Sequence, residues 1–246
     1  MPSTTNLSDL PDIDNLKMLC KSISTLDAII CPDWQYRYYS YQNNWDTALG
    51  EECMSMRNGS GDEFSILFSQ SGAIINGLGH ESEMSRWSEV AVKSKNIFQN
   101  IFGKKQTEFK QDIWPGVVDK VPIEFQHFIF GEPIKSKGTT FCIWRKYTDH
   151  KWNIGDIAFP NDDYKDGSEH LLFILDNNPQ TYHTWAIDYY DDNFEGNPNK
   201  LDLDLVKYIY ENRNLTKDIA FKINSNVEDF EKLKSDVNEI GYPNDL

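Results

Sequence analysis

Apolar residues recur at helical spacing near the start of the chain. Leu16, Leu19, Cys20, Ile23, Leu26 and Ile30 fall on one stripe, with Ser8 or Asp9 ahead as an N-cap and Pro32 behind as a stop. This predicts a helix within residues 7 to 30. From Trp34 to Trp45 the period changes to two. Alternation there predicts a tyrosine-rich strand with Tyr36 and Tyr38 on one face and Arg37, Tyr39 and Tyr41 on the other. Such a strand is covered on both sides or leaves one aromatic face as a binding surface.

From Cys53 the order MSM, RNGSGDE, FSILFS reads as strand, turn, strand, because Asn58-Gly59 and Gly61-Asp62 supply the positive-φ positions of a tight reversal. Ser71-Gly72 turns the chain again into AIINGLG. The expected product is an antiparallel meander with Phe64, Ile66 and Phe68 facing one way and Ser65, Leu67 and Ser69 the other, so that one face is the better candidate for the core. A helical pattern follows from Ser85 to Phe102, and Pro122 stands at the start of a helix that buries Phe125, Phe128 and Ile129. Thr139 to Phe159 predicts a hairpin reversing at Asp149-His150, and HLLFILD fits a short helix or a buried strand equally well. Thr181–Tyr190, Leu203–Glu211, Thr216–Asn224 and Val227–Ile240 read as C-terminal helices. Strands and helices are grouped rather than alternating, which predicts an α+β fold: a mostly antiparallel sheet packed with N-terminal, central and C-terminal helices. One domain over residues 1 to 246 is expected, with a soft boundary near 104–112.

Charge narrows the partners. A formal net charge of -15 repels phosphate, so nucleic acid and anionic membranes are excluded as expected partners. That holds even though Tyr36, Arg37, Tyr38, Tyr39 and Tyr41 match a stacking platform for single strands in residue type. A basic protein is the complementary partner. Its expected contacts are the acidic run with Asp188, Asp191, Asp192 and Glu195, the segment Asp162 to Asp166, and the tyrosine-rich strand with Tyr36, Arg37, Tyr39 and Tyr41. The N-terminus has no basic and apolar leader pattern, and no window of ~20 apolar residues occurs. The cysteines Cys20, Cys31, Cys53 and Cys142 form no C-x-x-C pair, so reduced thiols and a cytoplasmic location are expected.

Candidate chemistry is confined to two loops. Asp62-Glu63 and His80-Glu81 lie at the ends of meander strands, and their convergence would supply a general acid and base or ligands for a metal. Met84 stands where the helical zinc motif needs its second histidine. RNGSGDE lacks the Lys-Ser/Thr of a phosphate loop, and Ser60 lacks the spacing of a nucleophile elbow. No cofactor motif is present. A non-enzymatic binding protein is therefore the first reading, and a small hydrolase or metal-dependent enzyme using Asp62, Glu63, His80 and Glu81 is the alternative.

The blocks WQYRYYSYQNNW, MSMRNGSGDEFSILF, INGLGHES, IWPGVVDKVP, TTFCIWRKY and DGSEHLLFILDNNPQTYHTWAIDYY resemble a family of cytosolic bacterial proteins with no assigned activity. That resemblance transfers no catalytic residue. More distantly, the order of helix, meander and second hairpin, with VPIEFQHFI ahead of a strand, is similar to the SUKH superfamily of toxin-immunity proteins. This second resemblance implies a toxin-immunity or interaction role, and the net charge makes a basic effector the expected target.

Overall fold

A computed structural model describes residues 1–88, 113–191 and 201–246. Within them α1 (Ile13–Ile30) leads into β1 (Tyr39–Asp46), β2 (Glu51–Arg57), β3 (Glu63–Ser69) and β4 (Gly72–Leu78). Next come α2 (Ile123–Phe130), α3 (Ile134–Lys137) and β5 (Phe141–Lys146). The C-terminal part holds α4 (Ser168–Leu171), α5 (Pro179–Tyr189), α6 (Leu203–Tyr210), β6 (Leu215–Thr216), α7 (Lys217–Ile223), α8 (Phe230–Ile240) and β7 (Asn244–Asp245). Strands β1 to β5 form one sheet in sequence order, and β6 pairs with β7 in parallel. The fold is α+β. Among the described residues no helix is long and apolar enough to cross a membrane.

The chain divides into two compact units: Met1–Asp9, Arg57–Leu67 and Ser71–Phe173 form one, and Leu10–Met56, Phe68–Gln70 and Ile174–Leu246 form the other. The boundary expected near 104–112 lies outside the described residues, as does most of the helical pattern from Ser85 to Phe102.

In the first unit, β4 and β5 pair antiparallel from Gly72 opposite Lys146 to Gly77 opposite Phe141. The expected hairpin from Thr139 to Phe159 is corrected to one strand and a single return bridge, Trp144 to Asn153. The cause is nonlocal: the returning chain lies against the 113–121 segment instead of extending the ladder. A Cβ built on Gly155 would stand 1.7 Å from the carbonyl oxygen of Gly116, and Trp114 Nε1 donates to the Ala158 carbonyl at 2.9 Å. The N-terminal segment is pinned in the same unit, where Thr4 and Ser168 hydroxyls donate to the buried Asp166 carboxylate at 2.5 and 2.7 Å.

In the second unit, α1 is capped by Asp12, whose side chain accepts from Asn15 N, and not by Ser8 or Asp9; residues Leu7–Asp9 form a separate 3-10 turn. Every residue of the expected stripe is buried, because that face packs on β1, α6 and α8. The helix ends at Cys31, ahead of Pro32 as expected. The tyrosine-rich strand starts later than alternation suggests: Trp34–Tyr36 is a 3-10 turn, capped by Asp33, and β1 begins at Tyr39. It pairs antiparallel with β2, Tyr39 opposite Met56 and Gln42 opposite Cys53. One further correction concerns β3. Phe64 through Phe68 are all buried, so the strand is covered on both faces and Ser65 and Leu67 do not face solvent. Thr216 and Asp229 cap α7 and α8, and Gly241 ends α8 in the left-handed conformation at φ 72°.

Candidate binding face

The second unit is built around a buried carboxylate. Asp27, near the end of α1, is fully buried, and an ion removed from water is tolerated only when its oxygens are bonded. Oδ1 accepts the Tyr182 hydroxyl at 2.7 Å. Oδ2 accepts both the Tyr190 hydroxyl and the backbone N–H of Tyr39, each at 2.8 Å. The Tyr190 oxygen in turn accepts from Tyr38 N at 3.1 Å. Burial pushes the Asp27 carboxyl up from its ordinary 3.8 to about 6, against the hydrogen bonds and the Arg37 charge, which pull it down. The same burial raises the hydroxyls of Tyr39, Tyr182 and Tyr190, so Tyr182 and Tyr190 remain neutral donors to Asp27.

Around this node the aromatic rings run outward to solvent. Tyr38 lies edge-on to Trp185 at 4.9 Å and to Tyr189 at 4.8 Å, and Trp185 stacks on Tyr189 at 5.2 Å. Offset and edge-to-face pairs of this kind add about 0.5–1.5 kcal/mol each beyond the area they bury. Tyr189 is 45% exposed, and Trp34 and Tyr36, on the turn before β1, are 55% and 67% exposed. Beside Tyr189, an open groove of about 490 Å³ is lined by Thr184, Trp185, Ile187, Asp188 and Asp191. The Trp185–Tyr189 stack is edged by Asp188 and Asp191, which suits a cationic side chain that stacks on a ring while pairing with an acid.

The expected tyrosine face divides between core and surface. Tyr39 and Tyr41 are buried, and Tyr36 is exposed. The Tyr41 hydroxyl donates to Glu52 at 2.8 Å, and Lys17 and Lys21 reach the same carboxylate at 2.5 and 2.9 Å. Burial alone would raise the Glu52 carboxyl, but these donors outweigh it and hold it below its ordinary value. Arg37 is a buried clamp: Nε donates to the Cys31 carbonyl at 2.7 Å, and Nη2 donates to the Pro32 carbonyl at 2.9 Å and to Asp236 at 2.5 Å. Asp188 and Asp191 are exposed on the groove; Asp192 and Glu195 lie outside the described residues.

In the first unit the two polar loops do meet. His80 N donates to Asp62 Oδ1 at 2.8 Å, and His80 Nδ1 lies 3.4 Å from Glu81 Oε1. Asp62 also accepts from Asn58 Nδ2 at 2.8 Å, so its carboxylate closes the turn between β2 and β3. Glu63 pairs with Lys137 at 3.1 Å instead of joining the histidine. The His80 and Glu81 side chains are 45% and 75% exposed, which leaves their interaction screened by water. Among the described residues no group of three or more His, Cys, Asp or Glu side chains is placed to hold a metal ion. All four cysteines are buried thiols.

Sequence reasoning missed Asp27, Tyr182, Trp185, Tyr189 and Tyr190. Two signals were available: an acid inside the apolar run Leu26-Asp27-Ala28-Ile29-Ile30, and aromatics at i, i+3 and i+7 along Tyr182, Trp185 and Tyr189. No family model, curated protein or solved structure matches the chain.

Proposed function

We propose that the protein is a non-enzymatic binding protein that takes a basic protein segment on the aromatic and acidic face of α5. One observation carries the reading: the exposed Tyr189 ring stacks on Trp185, and Trp185 lines a groove edged by Asp188 and Asp191. Exposed aromatics gain energy when covered, and neighbouring carboxylates favour a Lys or Arg as the covering group. The net charge of -15 steers such a partner toward the surface at long range. A cytoplasmic location and, in its most specific form, neutralisation of a basic toxin belong to the same proposal, motivated by the SUKH-like segment order and the acidic surface.

The test uses a decalysine peptide as the probe and fluorescence anisotropy as the readout. The double charge reversal Asp188→Lys with Asp191→Lys is expected to weaken binding about tenfold or more, and Tyr189→Ala several-fold, because both remove contacts at the face rather than bulk charge alone. Reversing two acids elsewhere in the unit, Asp204→Lys with Asp218→Lys, changes the net charge equally at residues that do not line the groove. Equal losses from the two pairs would overturn the assignment of the face.

A further inference from the structure

Three elements converge on the Asp27 carboxyl group: α1 supplies it, β1 reaches it through Tyr39 N, and α5 and its C-cap reach it through the Tyr182 and Tyr190 hydroxyls. We propose that Asp27 is a proton-operated latch for the binding face: charged, it accepts both tyrosine hydroxyls and fixes α5, and neutral, it reverses its bond to Tyr182 and holds α5 less tightly. The inference rests on the binding face proposed above and adds its regulation.

Hydrogen-bond accounting gives the mechanism. Charged Asp27 accepts three donors and has none of its own to place. A proton added at Oδ1 must be donated onward, and the nearest oxygen is that of Tyr182. Tyr182 then becomes the acceptor and gives up its own bond to Asp27, while Oδ2 keeps Tyr39 N and the Tyr190 hydroxyl. The Tyr182 bond reverses direction, and it and the two bonds kept at Oδ2 lose the charge that strengthened them. Trp185 lies between these positions, 5.5 Å from the Tyr182 ring and 5.7 Å from the Tyr190 ring, and also lines the groove. A change at the tyrosines therefore reaches the face through a ring in contact with both.

The groups facing Asp27 do not compete for this proton. They are the hydroxyls of Tyr182, Tyr189 and Tyr190 on α5 and its cap, Tyr210 on α6 and Tyr39 on β1, together with the Cys31 thiol and the Arg37 guanidinium. Burial raises every one of these hydroxyls and the thiol. The carboxyl, raised to about 6, is the member of the cluster that changes charge near neutrality. His183 on the same helix turns away, its Nε2 lying 2.9 Å from the Leu201 carbonyl.

The experiment follows the wild-type chain by carboxyl carbon NMR and by the Trp185 component of fluorescence, isolated as the difference from Trp185→Phe. Both are expected to titrate together near pH 6, a signal that Asp27→Asn removes and Tyr190→Phe moves to higher pH by withdrawing a donor to the charged form. Decalysine affinity is expected to rise about fivefold or more from about pH 5 to about pH 7.5 in the wild type beyond any change in Asp27→Asn. Should Asp27→Asn fail to fold, the wild-type and Tyr190→Phe titrations decide alone. An Asp27 midpoint at or below about pH 4.5, near the ordinary carboxylate range, or a Trp185 signal indifferent to it, overturns the latch. Decalysine binding with one pH profile in wild type and Asp27→Asn also overturns the latch and leaves the face standing. Titration as expected with no decalysine binding at either pH overturns the face and leaves the tyrosine switch.

Discussion

Arg37 carries a charge into a site where its side chain is 4% exposed, and among the described residues its hydrogen-bond partners are near in sequence or on α8. Two carbonyls at the end of α1 and the Asp236 carboxylate take the guanidinium fork, a geometry an ammonium cannot reproduce. Replacing Arg37 by Ala leaves Asp236 unpaired at 21% exposure and those carbonyls without their donor, for an expected loss of about 3 kcal/mol. Lys is expected to recover less than half of that loss. Urea unfolding midpoints of Arg37→Ala and Arg37→Lys check both statements. The parity of this segment was legible in the sequence although its backbone was not: alternation grouped Arg37 with Tyr39 and Tyr41, and all three are buried while Gln42 is exposed. What alternation could not show is that the grouped side is core, since a Tyr at period two reads alike whether a helix or a partner covers it.

At the scale of elements, the helices were legible because their signals are local. Asp229 and Thr216 cap with their own side chains, and Gly241 ends α8 in a conformation that favours glycine. The meander was legible for the same reason, its reversals resting on Asn58-Gly59, Gly61-Asp62 and Ser71-Gly72. The return half of the second hairpin was not, because its backbone follows a contact with Gly116 that sequence spacing does not encode. Gly155→Ala places a methyl 1.7 Å from a carbonyl oxygen, where something must move, and is expected to cost about 3 kcal/mol or more. Gly59→Ala is the control for a glycine required only by its dihedral: φ is +75°, nothing lies within 4 Å of the added carbon, and the expected loss is about 1 kcal/mol. Comparable losses of thermal stability in the two variants would show that the close approach to Gly116 does not hold the segment.

For the whole molecule, net charge and composition pointed to an acidic surface, but one group that sets its pH dependence is inside it. Asp27 was invisible to charge counting, since one acid among 39 acidic residues says nothing about burial. Its folded carboxyl stands at about 6 against 3.8 in the unfolded chain. Between those values the folded protein retains a proton that the unfolded chain has released, so this group's contribution to stability is fully present below about pH 3.8, falls as pH rises, and is gone above about pH 6. Asp166, raised by burial against the bonds from Thr4 and Ser168, acts in the same direction, whereas Glu52, held low by Lys17, Lys21 and Tyr41, contributes stability that acid removes. Separating Asp27 from these opposing groups requires the variant. The stability difference between wild type and Asp27→Asn, measured by urea unfolding, is expected to shift by about 2 kcal/mol in favour of the wild type from about pH 7 to about pH 4.5. The shift has this size because most, not all, of the interval between the two midpoints is crossed by pH 4.5. A difference that stays constant across the range would place the folded Asp27 carboxyl near its unfolded value, and the three donors around it would then outweigh its burial.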